Sequence, residues 1–220
     1  MNSTQAIVES YFRHTEPLVE PHVNALDSIL EGLGESLEGN CFYHGNTNLT
    51  SWFFVFKRIN FVNVIKDHSV KKMIEIGFNA GHSALLFLSA LPQDGTLLAF
   101  DLNDHTYAKP CFAYLKDQFP QLTKFIAGDS KQTLKEYILQ NPSEIGTFDC
   151  IHVDGGHDKE TAFSDVQHSD LLLRKGGILI LDDTQLNDIL DIVPALLNQG
   201  YSFLYQIPTY GFSHVCMMKN

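Results

Sequence analysis

One stretch of the chain, residues 73–83, constrains the fold most strongly, because an apolar run leads through a glycine-containing turn into a helix-like run. The apolar run carries the acid Glu75, and Gly77 and Gly81 follow with the spacing Glu-x-Gly-x-x-x-Gly. Residues 84–88 then supply the apolar side chains of an amphipathic helix. A strand–turn–helix unit of this kind is typical of parallel α/β sheets, which bind ligands at the carboxyl ends of their strands.

The spacing of the glycines excludes two common nucleotide-binding turns. A dinucleotide-binding turn has the pattern Gly-x-Gly-x-x-Gly, but Asn79 stands where the second glycine would be. A phosphate-binding P-loop needs Gly-Lys-Ser or Gly-Lys-Thr, and neither tripeptide occurs in the chain. Glu75 would also repel a phosphate, whereas it suits a cationic ligand that carries an amino group.

The turn resembles the first motif of the class I S-adenosylmethionine (SAM)-dependent methyltransferases. The resemblance implies that Glu75, Gly77 and Gly81 hold the amino acid part of SAM and that Ser83 adds a hydroxyl group. It covers residues 51–220 at the level of the family. For Glu75, a solvated strand end without a ligand is the alternative.

Strand-like and helix-like runs alternate regularly after this turn, which predicts a doubly wound, mostly parallel α/β sheet. Strands are predicted over residues 96–101, 123–127, 147–153 and 178–181, and helices over residues 107–119, 131–140 and 158–173, the last ended by residues 174–177. Two further runs, 201–207 and 212–218, predict an antiparallel hairpin around a turn over residues 208–211. The resemblance implies that this hairpin completes a seven-stranded sheet.

The first part of the chain is predicted to be a helical extension over residues 1–50, followed by the methyltransferase domain over residues 51–220. The apolar spacing predicts a helix over residues 23–37, and Ser51 is predicted to cap a helix over residues 52–66. The resemblance implies that such an extension covers the ligand.

Polar residues after the second and third strands complete the predicted SAM site. Asp101 can accept hydrogen bonds from both ribose hydroxyls, and it matches the second motif of the resembling family. Asp129 and Ser130 resemble the motif that contacts adenine. The alternative for Asp101 is a cap or turn residue, and the alternative for Asp129 and Ser130 is ordinary helix capping.

Three acids follow two further strands of the predicted sheet. Asp154 ends the strand over residues 147–153, and Asp182 and Asp183 end the strand over residues 178–181. Adjacent strand ends converge, so these carboxylates are expected to meet beside the methyl donor. Like charges are costly together unless a cation neutralises them or one is protonated, and a set of oxygen ligands suits Mg²⁺.

This pattern resembles the metal-dependent O-methyltransferases that act on catechols or on sugars of natural products, including a group with the sequence Val-Asp-Gly-Gly-His. The resemblance implies that Asp154, Asp182 and Asp183 bind Mg²⁺. Asp154 and His157 are the predicted catalytic residues, with His157 as the base that takes the acceptor's proton at a pKa near neutrality. The alternative is that both residues cap the following helix. His152 lies in an apolar strand and is predicted to be a core histidine with satisfied partners.

Composition excludes several other classes of function. The formal net charge is −11 and the 15 Lys and Arg residues are scattered, so a nucleic acid partner is not expected. No apolar run approaches the roughly 20 residues that span a bilayer. The four cysteines show no Cys-x-x-Cys spacing, and no secretory signal pattern opens the sequence, so a cytoplasmic protein with reduced thiols is expected.

The sequence therefore predicts a SAM-dependent methyltransferase that methylates a hydroxyl of a small molecule, such as a sugar, polyol or catechol, with help from Mg²⁺. Two alternatives stay open. One is a metal-independent O- or N-methyltransferase, and the other is a non-catalytic SAM-binding module. The identity of the acceptor and the formation of a homo-oligomer are also open.

Overall fold

The structure is a computed structural model that describes residues 3–42, 52–209 and 211–220. Its strands are β1 (Lys72–Ile76), β2 (Thr96–Asp101), β3 (Leu122–Ala127), β4 (Phe148–Val153), β5 (Leu173–Leu181), β6 (Tyr201–Phe203) and β7 (Val215–Lys219). Its α-helices are α1 (Ser3–His14), α2 (Glu16–Leu33), α3 (Trp52–Asp67), α4 (His82–Ala90), α5 (Ala108–Gln118), α6 (Ser130–Gln140), α7 (Lys159–Leu172), α8 (Asn187–Leu190) and α9 (Val193–Asn198).

The strands of the described residues form a seven-stranded sheet in the order β3-β2-β1-β4-β5-β7-β6. Strands β1 to β5 pair in parallel, whereas β7 runs antiparallel between β5 and β6. This confirms the predicted α/β class, the parallel sheet and the antiparallel C-terminal strands. Because β1 and β4 are central neighbours, the loops after them open at the same edge of the sheet.

The sheet separates two hydrophobic cores, because successive side chains of a strand point to opposite faces. Met73 of β1 and Cys150 of β4 belong to the core that α2, α3, α4 and α5 cover. Their neighbours Ile74 and Ile151 belong to the core that α6, α7, α8 and α9 cover. The central strands β1, β2 and β4 are buried on both faces, which explains their nearly continuous apolar sequences.

The N-terminal helices share the first of these cores. Arg58 of α3 is 1% exposed and ties α1 and α2 to α3. Its guanidinium donates to the Tyr11 hydroxyl at 2.9 Å and to the Phe42 carbonyl at 3.3 Å, and it pairs with Glu16 at 3.2 Å. The predicted domain boundary after residue 50 and the predicted Ser51 cap lie outside the described residues.

The bounds predicted for one N-terminal helix are wrong. The helix predicted over residues 23–37 begins at Glu16 and ends at Leu33, and α1 precedes it within the segment predicted to be a helical extension. Gly34 ends α2 early, because its left-handed conformation (φ 67°) lets its N–H cap the last turn. The earlier start is compatible with Pro17, since proline is tolerated in the first turn of a helix.

The C-terminal strands also differ from the prediction. Strand β5 begins at Leu173, not at residue 178, and residues 174–177 form an irregularity between the pairs Phe148–Leu173 and Cys150–Ile178. Arg174 is held there by Asp149, with Nε 2.6 Å from Oδ1.

The C-terminal hairpin is shorter than predicted because the side chain of Gln206 replaces further ladder bonds. Its amide donates to the His214 carbonyl at 2.6 Å, and its carbonyl oxygen accepts from the Cys216 N–H at 3.0 Å. Tyr210 of the predicted turn lies outside the described residues. Among the described residues, the helices include none with both the length and the apolar composition that crossing a membrane requires.

Candidate active site

A cavity of about 650 Å³ lies at the carboxyl ends of the central strands. Its size falls within the range that small-molecule sites have. The predicted site residues that line it are Gly77, Ser83, Asp101, Asp129, Ser130, Asp154, His157, Asp182 and Asp183. The structure thus brings together predicted residues from the ends of five strands. The other two, Glu75 and Gly81, are buried behind this lining.

The two glycines of the first turn are required by contacts within the protein. A Cβ atom on Gly77 would lie 1.9 Å from the carbonyl oxygen of Asp154, and the residue has a φ of +92°. A Cβ atom on Gly81 would lie 2.6 Å from the Phe78 ring and 2.7 Å from Leu115. The absence of a side chain at Gly77 allows the turn to approach the end of β4, and its absence at Gly81 leaves room for Phe78 and Leu115. A close approach of the glycines to a ligand stays a prediction.

Glu75 is completely buried and is not a solvated strand end. Its Oε1 accepts a hydrogen bond from the Ser83 hydroxyl at 2.6 Å and lies 3.4 Å from Nδ1 of His152. Burial raises the pKa of Glu75 above its ordinary value, against the opposing effects of His152 and Ser83. Glu75 therefore orients Ser83, which does reach the cavity, and any contact of Glu75 with a ligand stays a prediction.

Asp101 presents a half-buried carboxylate to the cavity from the end of β2. Its two oxygens accept the backbone N–H groups of Asn79 and Asn103, each at 2.7 Å. Both asparagines have positive φ values, 51° and 61°, a conformation in which asparagine is enriched. A carboxylate has about four lone-pair sites, so two backbone bonds leave capacity for two hydroxyl donors. Burial raises the pKa of Asp101.

Asp129 and Ser130 lie at the start of α6. The exposed Asp129 is the N-cap of this helix, and its side chain accepts the N–H of Lys131 at 3.0 Å. The capping alternative therefore describes what Asp129 does in this structure. Both residues also line the cavity, which leaves the predicted adenine contact as a prediction.

The carboxylate of Asp182 is completely buried and already surrounded by donors. Its Oδ1 lies 2.8 Å from Nζ of Lys57 and accepts the Asp183 N–H at 2.8 Å. Its Oδ2 lies 3.2 Å from Nε2 of His152. Burial alone would raise the pKa of Asp182, but Lys57 and His152 outweigh it and hold the pKa below its usual range.

His152 links Asp182 to Glu75 through the centre of the sheet. It is completely buried between them, which agrees with the prediction of a core histidine with partners. Burial would lower its pKa, but hydrogen bonds to Asp182 and Glu75 raise the pKa to about 10. Glu75, His152, Asp182 and Lys57 therefore form a buried row in which acids alternate with cations.

Asp154 and Asp183 form a second group of side chains together with His157. Nε2 of His157 lies 2.8 Å from Oδ2 of Asp183, and this pair raises the pKa of His157 to about 9. The predicted pKa near neutrality is therefore wrong for this resting arrangement. Burial and the nearby Asp182 raise the pKa of Asp154 to about 8. Asp183 has a φ of +53°, the kind of backbone strain that clusters at functional sites.

The structure does not assemble the predicted three-acid set for Mg²⁺. Among the described residues, two groups could offer ligand atoms within 4.8 Å of one another: His152, Asp154 and Asp182, and separately Asp154, His157 and Asp183. Asp182 and Asp183 thus belong to different groups. In the first group Asp182 is already bound by an ammonium and an imidazole, so its oxygens do not fit a Mg²⁺ shell.

Sequence reasoning missed two contributors to this site. Lys57 enters the cavity from α3, far from the strand ends in sequence. The adjacent charges of Lys57 and Arg58 inside an otherwise apolar stretch were the available signal. Residues 38–41 also line the cavity, and the Gly39 carbonyl accepts the Asn79 side-chain amide at 3.0 Å. His105 holds this segment through Glu35 and Glu38, each at 2.8 Å.

Known proteins resemble the part of the chain that carries the strand ends of this site. A family model described as "Methyltransferase domain" matches residues 74–184, half of the chain. The chain belongs to the SAM-dependent methyltransferase family. The predicted resemblance is thereby confirmed, and the match covers every strand from β1 to β5 that supplies a predicted site residue.

Relatives of this methyltransferase are themselves named as methyltransferases. It is 26% identical to a probable caffeoyl-CoA O-methyltransferase of Dictyostelium discoideum, over 82% of this chain and 65% of that protein. It is 33% identical to a flavonoid 3',5'-methyltransferase of Vitis vinifera, over 55% of this chain and 50% of that protein. The chain thus spans less than two thirds of the length of either relative.

Solved structures share the fold of this methyltransferase at low sequence identity. The O-methyltransferase of Bacillus cereus in complex with SAH has a TM-score of 0.64 at 14% identity, over 90% of this chain and 91% of that one. TomG of Streptomyces achromogenes in complex with SAM has a TM-score of 0.62 at 14% identity, over 90% of this chain and 88% of that one.

Proposed function

We propose that this chain transfers a methyl group from SAM to a hydroxyl group of a small molecule. The observation that carries the proposal is the composition of one cavity. A carboxylate suited to ribose, Asp101, and a His157–Asp183 pair suited to proton transfer line the same cavity of about 650 Å³. The donor would lie along the ends of β1 and β2, and the acceptor at the ends of β4 and β5.

The residues of the donor end fit SAM by their chemistry. Asp101 keeps lone pairs for the ribose hydroxyls, and the hydroxyl of Ser83 reaches the cavity from the N-terminus of α4. Asp129 and Ser130 would contact the adenine. SAM, when bound, supplies an electrophilic methyl group on a sulfonium. The acidic lining suits this positive charge.

Proton transfer would take place at the acceptor end of the cavity, beside β4 and β5. Asp183 holds Nε2 of His157, which leaves Nδ1 of the same ring to accept the proton of the acceptor hydroxyl. Asp154 lies between this pair and Asp182, and it would orient the acceptor by hydrogen bonding. Alignment of the acceptor oxygen with the methyl group would contribute several kcal/mol. The His157–Asp183 pair favours an enzyme over a non-catalytic SAM-binding module.

The role of Mg²⁺ separates two forms of this proposal. The sequence predicts Mg²⁺-assisted transfer, with metal-independent transfer as its alternative. The ion pair between Lys57 and Asp182 favours the alternative, because it neutralises a predicted metal ligand without a metal. No step of the proposed reaction therefore depends on Mg²⁺.

The test is a methylation assay with SAM and a panel of acceptors. The panel begins with caffeoyl-CoA and flavonoids, the compounds in the names of the relatives, and continues with catechols, sugars and polyols. We expect mass spectrometry to find SAH together with an acceptor that has gained one methyl group, in EDTA as well as in Mg²⁺. Failure to bind SAM in calorimetry would overturn the proposal. Activity that EDTA abolishes and Mg²⁺ restores would instead support Mg²⁺-assisted transfer.

Substitution of Asp101 by alanine is expected to weaken SAM binding by about 1–3 kcal/mol, because the charged acceptor of the ribose hydroxyls is lost. Isothermal titration calorimetry measures this change directly. The exposed Asp117 on α5 provides a matched control, since Asp117→Ala removes a carboxylate outside the cavity lining. Equal SAM affinity in the Asp101 variant and the control variant would remove Asp101 from the site.

A further inference from the structure

Lys57 is a buried cation at the acidic end of the cavity. Its side chain is 8% exposed, and its ammonium lies 2.8 Å from Oδ1 of Asp182 and 5.7 Å from the centre of the Phe61 ring. A lysine is seldom buried to this extent without a paired acid. The residue reaches this place because α3 packs on α4 over the first hydrophobic core.

The carboxylates around Lys57 keep it charged. Burial alone would lower the pKa of Lys57, but Asp182, Asp154 and Asp183 together outweigh burial and raise the pKa. Lys57 therefore supplies a positive charge beside three acids, in addition to the imidazoles of His152 and His157. The sequence suggested a divalent metal as the source of such positive charge.

We infer that Lys57 takes the place of a divalent cation in this acceptor site. It neutralises Asp182, and its position in the cavity lining excludes a metal ion from the group of His152, Asp154 and Asp182. An ammonium carries three N–H donors, so one that is not directed at Asp182 can donate to the acceptor oxygen. This last role rests on the proposed function, whereas the exclusion of metal does not.

The inference is tested by the affinity of the protein for Mn²⁺ alone, measured by calorimetry without SAM or acceptor. The wild-type chain is expected to bind Mn²⁺ no tighter than about 1 mM, in the range of weak oxygen-ligand sites. Lys57→Met is expected to bind at least about tenfold tighter, because it frees Asp182 and removes a repelling charge. The same substitution at the exposed Lys109 is the matched control and is expected to change nothing.

Two further variants identify where the ion binds. Lys57→Arg keeps the charge and is expected to keep the weak affinity, whereas Asp182→Asn combined with Lys57→Met is expected to abolish the gain. If Lys57 had a purely structural role, no variant would bind Mn²⁺ more tightly than the wild type. That result, obtained with folded variants, would overturn the inference.

The wild-type chain provides a test that does not depend on the folding of a variant. Micromolar Mn²⁺ binding by the wild type would overturn the inference, because the ion would then bind despite Lys57, at Asp182 or in the group of Asp154, His157 and Asp183. SAM titration of the same samples, with circular dichroism, reports folding. If the wild type did not bind SAM, the proposed function would be overturned, but the conclusion from Mn²⁺ binding would stand.

Discussion

Substitution of Gly77 by alanine is expected to lower the free energy of unfolding by about 3 kcal/mol or more. Two costs add at this residue. Its φ of +92° is strained for any side chain, and the new Cβ atom would lie 1.9 Å from the carbonyl oxygen of Asp154. That oxygen belongs to the backbone at the end of β4, so it cannot move aside as a flexible side chain would. The turn and the adjacent strand end would have to separate.

Gly200 provides a matched control for the Gly77 prediction. Its φ of +94° is nearly the same, but a Cβ atom there would meet nothing within 4 Å. Gly200→Ala is therefore expected to cost only the backbone strain, about 1 kcal/mol. Urea denaturation of both variants separates the two costs. An equal loss of stability in the two variants would show that the close approach of Gly77 to Asp154 has little energetic weight.

The central part of the fold could be predicted because its signals are local. Strand β2 was predicted with its observed bounds, and β3 and β4 within one residue, since each is a short run that ends in an acid, glycine or turn. The C-terminal strands were less predictable. The hairpin depends on the side chain of Gln206 in place of backbone bonds, and an amide in this role leaves no periodic pattern in the sequence.

The candidate site was predictable where it depends on topology and unpredictable where it depends on packing between distant elements. Parallel strands place their carboxyl ends at one edge, so Asp101, Asp154 and Asp182 could be expected to line one cavity. Lys57 lies on a helix that precedes the first strand, and only the packing of α3 brings it to Asp182. The sequence indicated that the acids needed either a cation or a proton on one of them, but it did not indicate Lys57.

Individual pairings also decide the chemistry of the acids. Asp182 and Asp183 are adjacent in sequence and carry the same group, yet Asp182 is buried against Lys57 whereas Asp183 meets His157 near the surface. Asp183 also differs from Asp182 in backbone conformation, because its φ is +53°. An aspartate with a left-handed backbone after a parallel strand is not distinguishable in sequence from an extended one. The sequence therefore could not show that Asp182 and Asp183 belong to different groups of possible metal ligands.

Substitution of His157 by alanine is expected to lower kcat by ~10²-fold or more, which is the usual contribution of a positioned base. SAM affinity is expected to stay unchanged, because the ring pairs with Asp183 in the part of the cavity where we propose that the acceptor binds. Steady-state kinetics with an identified acceptor, together with calorimetry for SAM, measure both quantities. A variant with near-normal kcat would reduce His157 to a residue of the turn before α7. Loss of SAM binding along with activity would indicate a structural role.

The pH dependence of the reaction tests the same assignment through Asp183. A base must be neutral to accept a proton, and the hydrogen bond to Asp183 stabilises the charged ring and raises the pKa of His157 to about 9. The wild-type rate is therefore expected to rise with pH until about pH 9. Asp183→Asn removes the negative charge, so the pKa of His157 should fall toward its ordinary value of about 6.5 and the rising limb should move to lower pH. A limb that stays in place in this variant, or that persists in His157→Ala, would assign the titration to a different group and remove His157 as the base.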